Sequence, residues 1–206
     1  EKTLREFMQV QGLRVVLTRE EDRFVTLEQR TALANEAAAD LFVSIHANGS
    51  RVRGARGIET FFASLEATDE AARELAASEN LAVRGGAPEG AAPRADDPLL
   101  AILGDLIATE HLVESQEFAR LAQGHLAREG ARSRGVKQAP FVVLMGVHMP
   151  SALVEIGFLT NPSDARALSR KKQRAELAEG LARAVAAYGV RHDARRGVAA
   201  VGGGAR

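Results

Sequence analysis

The stretch Thr26-Leu27-Glu28-Gln29-Arg30 through Ala39, followed at once by Asp40-Leu41-Phe42-Val43-Ser44-Ile45-His46, decides the fold. Its first half is rich in Ala, Leu and Glu, with Thr26 placed to cap a helix. Its second half is a nearly unbroken apolar run, the pattern of a strand buried on both faces. A helix leading into such a strand predicts an α/β domain whose largely parallel central sheet is flanked by helices.

The pattern extends in both directions. Upstream, Leu4, Phe7 and Met8 predict a helix over Lys2–Gln11, Gly12 ends it, and Leu13–Thr18 reads as another buried strand. Downstream, Gly57–Phe62 reads as a strand nearer an edge, and Thr68–Asn80 as an acidic, Ala-rich helix. Arg84–Pro98 is rich in Gly, Pro and Ala and reads as a mobile loop, and Pro98 opens an apolar helix to Thr109. An amphipathic helix is predicted over Glu114–Glu129, then a polar turn over Gly130–Gly135. Phe141–Met145 and Ala152–Phe158 read as two strands joined by Gly146–Pro150. Asn161-Pro162 opens a last helical region with Leu177, Leu181, Val185 and Tyr188 on one face, and the tail from His192 to Arg206 reads as disordered.

Composition narrows the chemistry. The 206 residues contain 27 Lys+Arg and 27 Asp+Glu, so no bulk charge draws the chain to nucleic acid or an anionic membrane. No apolar run approaches the ~18 residues of a membrane span. Cysteine is absent, which excludes disulfides, iron–sulfur clusters and thiolate zinc sites, so any metal must be held by His, Asp or Glu.

Two polar residues on buried strands stand out. His46 sits at the carboxyl end of its strand, the edge where sites gather in open α/β sheets. A structural histidine bonded to a loop carbonyl is the competing reading. Glu155 lies inside Leu153-Val154-Glu155-Ile156-Gly157 with no cation near it in sequence. A buried carboxylate must be paired, metal-bound or protonated. Either Arg19 or Lys137 pairs with it in a structural ion pair, or it is a general acid/base with a raised pKa. The other histidines show no ligand spacing with His46, so residues alone reach only a hydrolytic site in outline.

The wording of several segments is more specific. Leu17-Thr18-Arg19, Asp22-Arg23-Phe24, Ser44-Ile45-His46-Ala47-Asn48, Gly135-Val136-Lys137 and Leu153-Val154-Glu155-Ile156-Gly157-Phe158-Leu159-Thr160-Asn161-Pro162 follow one another in order. Together they resemble the zinc-dependent N-acetylmuramoyl-L-alanine amidases of peptidoglycan, and within them the cell-division type. The resemblance implies hydrolysis of the amide between N-acetylmuramic acid and L-Ala, with His46 as a Zn2+ ligand and Glu155 as the catalytic acid/base. It suggests Asn48 and Glu59 for supporting the metal shell or substrate. A non-catalytic peptidoglycan-binding relative and a zinc peptidase acting on stem peptides are the alternatives.

The resemblance also carries expectations about organisation. Such domains open with a strand ending in a zinc-binding His and a helix starting with a zinc-binding Glu, and Lys2–Gly12 matches only the back of that helix. The chain is therefore expected to be a catalytic domain over 1–190 lacking its first strand and two ligands, to bind zinc poorly and to be inactive as it stands. Residues 63–110 correspond to an insert in which the 98–109 helix would block the metal, through Glu110 or Glu114, until an activator protein displaces it. The substrate implies the periplasm or cell envelope.

Overall fold

A computed structural model describes residues 2–10, 13–50, 52, 54–82, 109–128 and 132–197. Four strands form one sheet in the order β1 (Phe42–Asn48), β4 (Ser151–Phe158), β2 (Ile58–Ala63), β3 (Ser133–Ala139). β1 runs parallel to β4 and β2 parallel to β3, while β2 is antiparallel to β4. The expected α/β architecture with a largely parallel sheet is thus the observed one.

Helices cover both faces. On one side α2 (Leu27–Glu36), α3 (Glu70–Ala82) and the short α5 (Val142–Met145) close over Phe42, Phe61, Ala63 and Leu153. On the other, α4 (Thr109–Arg128) and α7 (Lys171–Arg195) bury Phe118, Leu126, Leu177, Leu181 and Tyr188 against Ile58, Phe62, Ala152 and Val154. Alternate residues of β2 and β4 feed the two cores, as the period of two requires. α1 (Lys2–Val10) and α6 (Pro162–Ser169) complete the order. Thr26 caps α2 in a reciprocal pair with Gln29, and Asn161 caps α6 with Pro162 behind it. Among the described residues no helix is long and apolar enough to cross a membrane.

One end of the sheet is tied tightly. Asp164 on α6 accepts the N–H groups of Gly57 (2.7 Å) and Phe158 (3.0 Å), joining the start of β2 to the end of β4. Gly57 has φ of 103°, and a Cβ there would lie 2.1 Å from the Arg132 carbonyl oxygen, so only glycine fits.

Several sequence expectations are corrected. Phe141–Met145 is not a strand: Val142–Met145 is a helical turn with Val143, Leu144 and Met145 buried. A short apolar run suits either state, and here its ends are bound by side chains of α2 and α3. The turn predicted over Gly130–Gly135 gives way to β3 from Ser133 onward. β2 is interior and wholly buried, and β1 takes the edge. α7 continues to Arg195, because Arg191 and Arg195 pair with Glu117 on α4, so the tail is helical at its start. Leu13–Thr18 has no regular secondary structure and joins no ladder among the described residues. It and Leu41–Ile45 line a cavity of about 420 Å³ beside β1, whose outer edge has no ladder partner among the described residues. An apolar run becomes a strand only when another backbone lies within hydrogen-bonding reach. The predicted loop 84–98 and the helix from Pro98 lie outside the described residues, apart from Thr109, which opens α4.

Candidate metal centre

Register places the site. His46 on β1 is the ladder partner of Glu155 on β4, and Glu155 is the ladder partner of Glu59 on β2. Residues directly opposite each other share a face, so one imidazole and two carboxylates stand in a row across three strands. The row lies at the carboxyl ends of β1 and β4, on the face covered by α3.

α3 adds the residue that completes the group. Glu79 Oε2 lies 2.9 Å from His46 Nδ1, both side chains being one-quarter exposed. The other ring nitrogen, Nε2, is 3.0 Å from the hydroxyl of Ser44, two residues back on the same face of β1. One ligand atom each from His46, Glu79 and Glu155 fall within 4.8 Å of one another, a spacing able to hold a metal ion. Glu155 is fully buried, and neither of its carboxylate oxygens has a hydrogen-bond partner among the described residues. Burial first, then the negative charges of Glu79 and Glu59, pushes its carboxyl up to about 8.

The ion-pair reading of Glu155 is therefore excluded by geometry. Lys137 instead binds Glu59 (2.8 Å) and Asp69 (3.0 Å), and Arg134 also binds Glu59. The Arg19 guanidinium donates to the Arg23 carbonyl (3.0 Å). Glu59 is as buried as expected of a site residue, but it is neutralised by two cations and is not a member of the three-residue group.

The remaining expected residues separate. Asn48 is buried on β1 two positions after His46, and its backbone carbonyl accepts from the Leu159 N–H at 2.8 Å. Glu114 is corrected as an autoinhibitory group. On α4 it accepts from the Tyr188 hydroxyl (2.9 Å) and pairs with Arg195 (2.9 Å), within the α4–α7 contact on the far side of the sheet. The Glu110 side chain lies outside the described residues. The acid that does reach His46 comes from α3. Nothing in the sequence singled out Glu79 among the acids of that helix, whereas Ser44 was findable from the period-two spacing to His46.

The donor set suits a borderline cation. One imidazole nitrogen and carboxylate oxygens, with no thiolate available, are the ligands of hydrolytic zinc sites. The two unsatisfied oxygens of Glu155 are the observation a cation or a polar substrate would answer.

Known proteins resemble this chain in sequence and in fold. The sequence pattern of the N-acetylmuramoyl-L-alanine amidases matches residues 1–187. The chain is 35% identical over 180 residues to the N-acetylmuramoyl-L-alanine amidase AmiC of Neisseria meningitidis serogroup B, covering 86% of this chain and 42% of that protein. It is 33% identical over 196 residues to AmiA of Escherichia coli K12, covering 91% and 65%. The crystal structure of an N-acetylmuramoyl-L-alanine amidase from Clostridium difficile 630 superposes with a TM-score of 0.64 at 28% identity, over 91% of this chain and 78% of that one. The chain spans less than two thirds of the length of these two curated relatives. On the match across 1–187 and a sheet that brings His46 and Glu155 together, the chain belongs to the N-acetylmuramoyl-L-alanine amidase family.

Proposed function

We propose, in place of the expectation that the chain binds zinc poorly and is inactive as it stands, that it hydrolyses the amide between N-acetylmuramic acid and L-alanine in peptidoglycan, because Glu79 supplies from within the chain a second ligand beside His46 for a zinc ion, with Glu155 as the proton carrier. The observation that supports it most is a wholly buried carboxyl without partners, in ladder register with an imidazole and within ligand distance of a second acid. When bound, zinc supplies Lewis acidity toward an amide carbonyl and a water molecule.

The rest is done by side chains of the chain. Ser44 holds the Nε2 edge of His46, leaving Nδ1 directed at the cluster, which fixes the ring plane. Glu155, buried in register with His46, takes a proton from the water as the water oxygen bonds to the amide carbon. The same carboxyl then gives that proton to the alanine nitrogen, the C–N bond breaks, and an intact stem peptide leaves with a free amine. Glu59 is held by Arg134 and Lys137 beside Glu155. The substrate would place this work in the cell wall.

The test is incubation of the zinc-loaded chain with purified peptidoglycan and mass analysis of the soluble products. Intact stem peptides beginning with L-alanine are expected. Shortened stem peptides would indicate a peptidase, and no release by wild type would overturn the proposal.

A further inference from the structure

We infer that Asn80 is a positioning residue: it fixes the rotation of α3 and thereby sets the Glu79 carboxylate against His46, an inference that rests on the metal-site reading above. α3 lies on the core through Ala72 and Ala76, both wholly buried, and Asn80 is the next residue in that i, i+4 row. Leu75 and Glu79 form the neighbouring row. Alanine contacts are small and non-directional, so they hold the helix down without setting how far it turns or slides.

Asn80 supplies the missing direction. Its Nδ2 donates to the Pro140 carbonyl at 2.9 Å, and its Oδ1 accepts from the Val142 N–H at 3.0 Å. Both ends of a planar amide are used, and the side chain is only 6% exposed, so the bonds form away from competing water. The other end of α3 is held by Asp69 on Lys137 and by Thr68, which exchanges hydrogen bonds with Gln138. The asparagine bonds act one residue from Glu79, where a small turn of the helix would move the carboxylate away from Nδ1.

The fold contains its own control. Asn35 on α2 binds the far end of the same 140–148 segment in the same two-way manner, donating to the Gly146 carbonyl (3.0 Å) and accepting from the His148 N–H (2.8 Å). α2 carries none of the three residues of the metal group. Asn35 and Asn80 should therefore contribute comparably to stability and differ in their effect on metal affinity.

The experiment is calorimetric titration of zinc into the metal-free chain for wild type, Glu79→Gln, Asn80→Ala, Asn35→Ala and the Glu79→Gln/Asn80→Ala double variant, each also melted in urea. Asn80→Ala is expected to weaken zinc binding by about tenfold, Asn35→Ala to leave it unchanged, and the double variant to bind no more weakly than Glu79→Gln alone. Wild-type affinity in Asn80→Ala, an equal loss in Asn35→Ala, or additive losses in the double variant would overturn the inference. Unchanged affinity in Glu79→Gln would instead overturn the metal site itself. If Asn80→Ala fails to fold, Asn80→Ser, whose hydroxyl can serve only one of the two partners, decides the same comparison.

Discussion

Glu59 and Glu155 are directly opposite each other on adjacent strands, share a sheet face and are almost equally buried, yet their surroundings are opposite. Glu59 faces β3, which brings Arg134 and Lys137 onto it. Glu155 faces β1 and α3, which bring His46 and a further carboxylate, Glu79, and no Lys or Arg partner among the described residues. Breaking a buried ion pair strands its partners, whereas neutralising an unpaired buried acid removes a desolvation cost. The difference separates a carboxylate that ties strands together from one left without a hydrogen-bond partner among the described residues.

Four substitutions would break or sharpen that contrast. The largest effect is expected for Glu155→Gln, which should lower release of stem peptides by roughly 10²–10⁴-fold in a peptidoglycan digestion assay while leaving the fold intact. Glu59→Gln should do the reverse, destabilising the chain by about 3 kcal/mol in urea melts, because Arg134 and Lys137 lose their shared buried partner.

pH offers a third separation. The Glu155 carboxyl is raised from 4.5 to about 8 in the folded chain, so between those values the native state holds a proton that the unfolded state has released. Stability of the metal-free chain from this group is therefore full below pH 4.5 and falls as pH rises, by at most about 1.4 kcal/mol per pH unit, until it levels above pH 8. Urea melts across that range should show the slope in wild type and its loss in Glu155→Gln. The smallest effects are expected from Ser44→Ala, which removes the Nε2 partner of His46 and should weaken zinc by about tenfold, and from Arg73→Ala. The latter ends an exposed pair with Glu70 and should change the urea midpoint by no more than about 0.5 kcal/mol equivalent.

What was legible in the sequence follows the same division. β1 and β4 could be read because each is a largely apolar run, and the ionisable residue of each, His46 and Glu155, belongs to the three-residue group. Their meeting depends on parallel register, which no local pattern encodes. Glu79 could not be read, since any acid of an amphipathic helix suits solvent, and only the docking of α3 through Ala72, Ala76 and Asn80 selects it. Leu13–Thr18 and Phe141–Met145 misled for a shared reason. Short apolar runs report burial, while strand identity depends on a neighbouring backbone. Glu114 misled because a partner on α7, far along the chain, claims it.

The central claim, that His46 and Glu79 hold a metal beside Glu155, is tested most directly by zinc X-ray absorption on the zinc-loaded chain and on His46→Ala. The wild type should show one imidazole nitrogen together with carboxylate oxygen near ~2.0–2.2 Å, and the imidazole signature should vanish in the variant. An all-oxygen shell that is identical in the two proteins would contradict it.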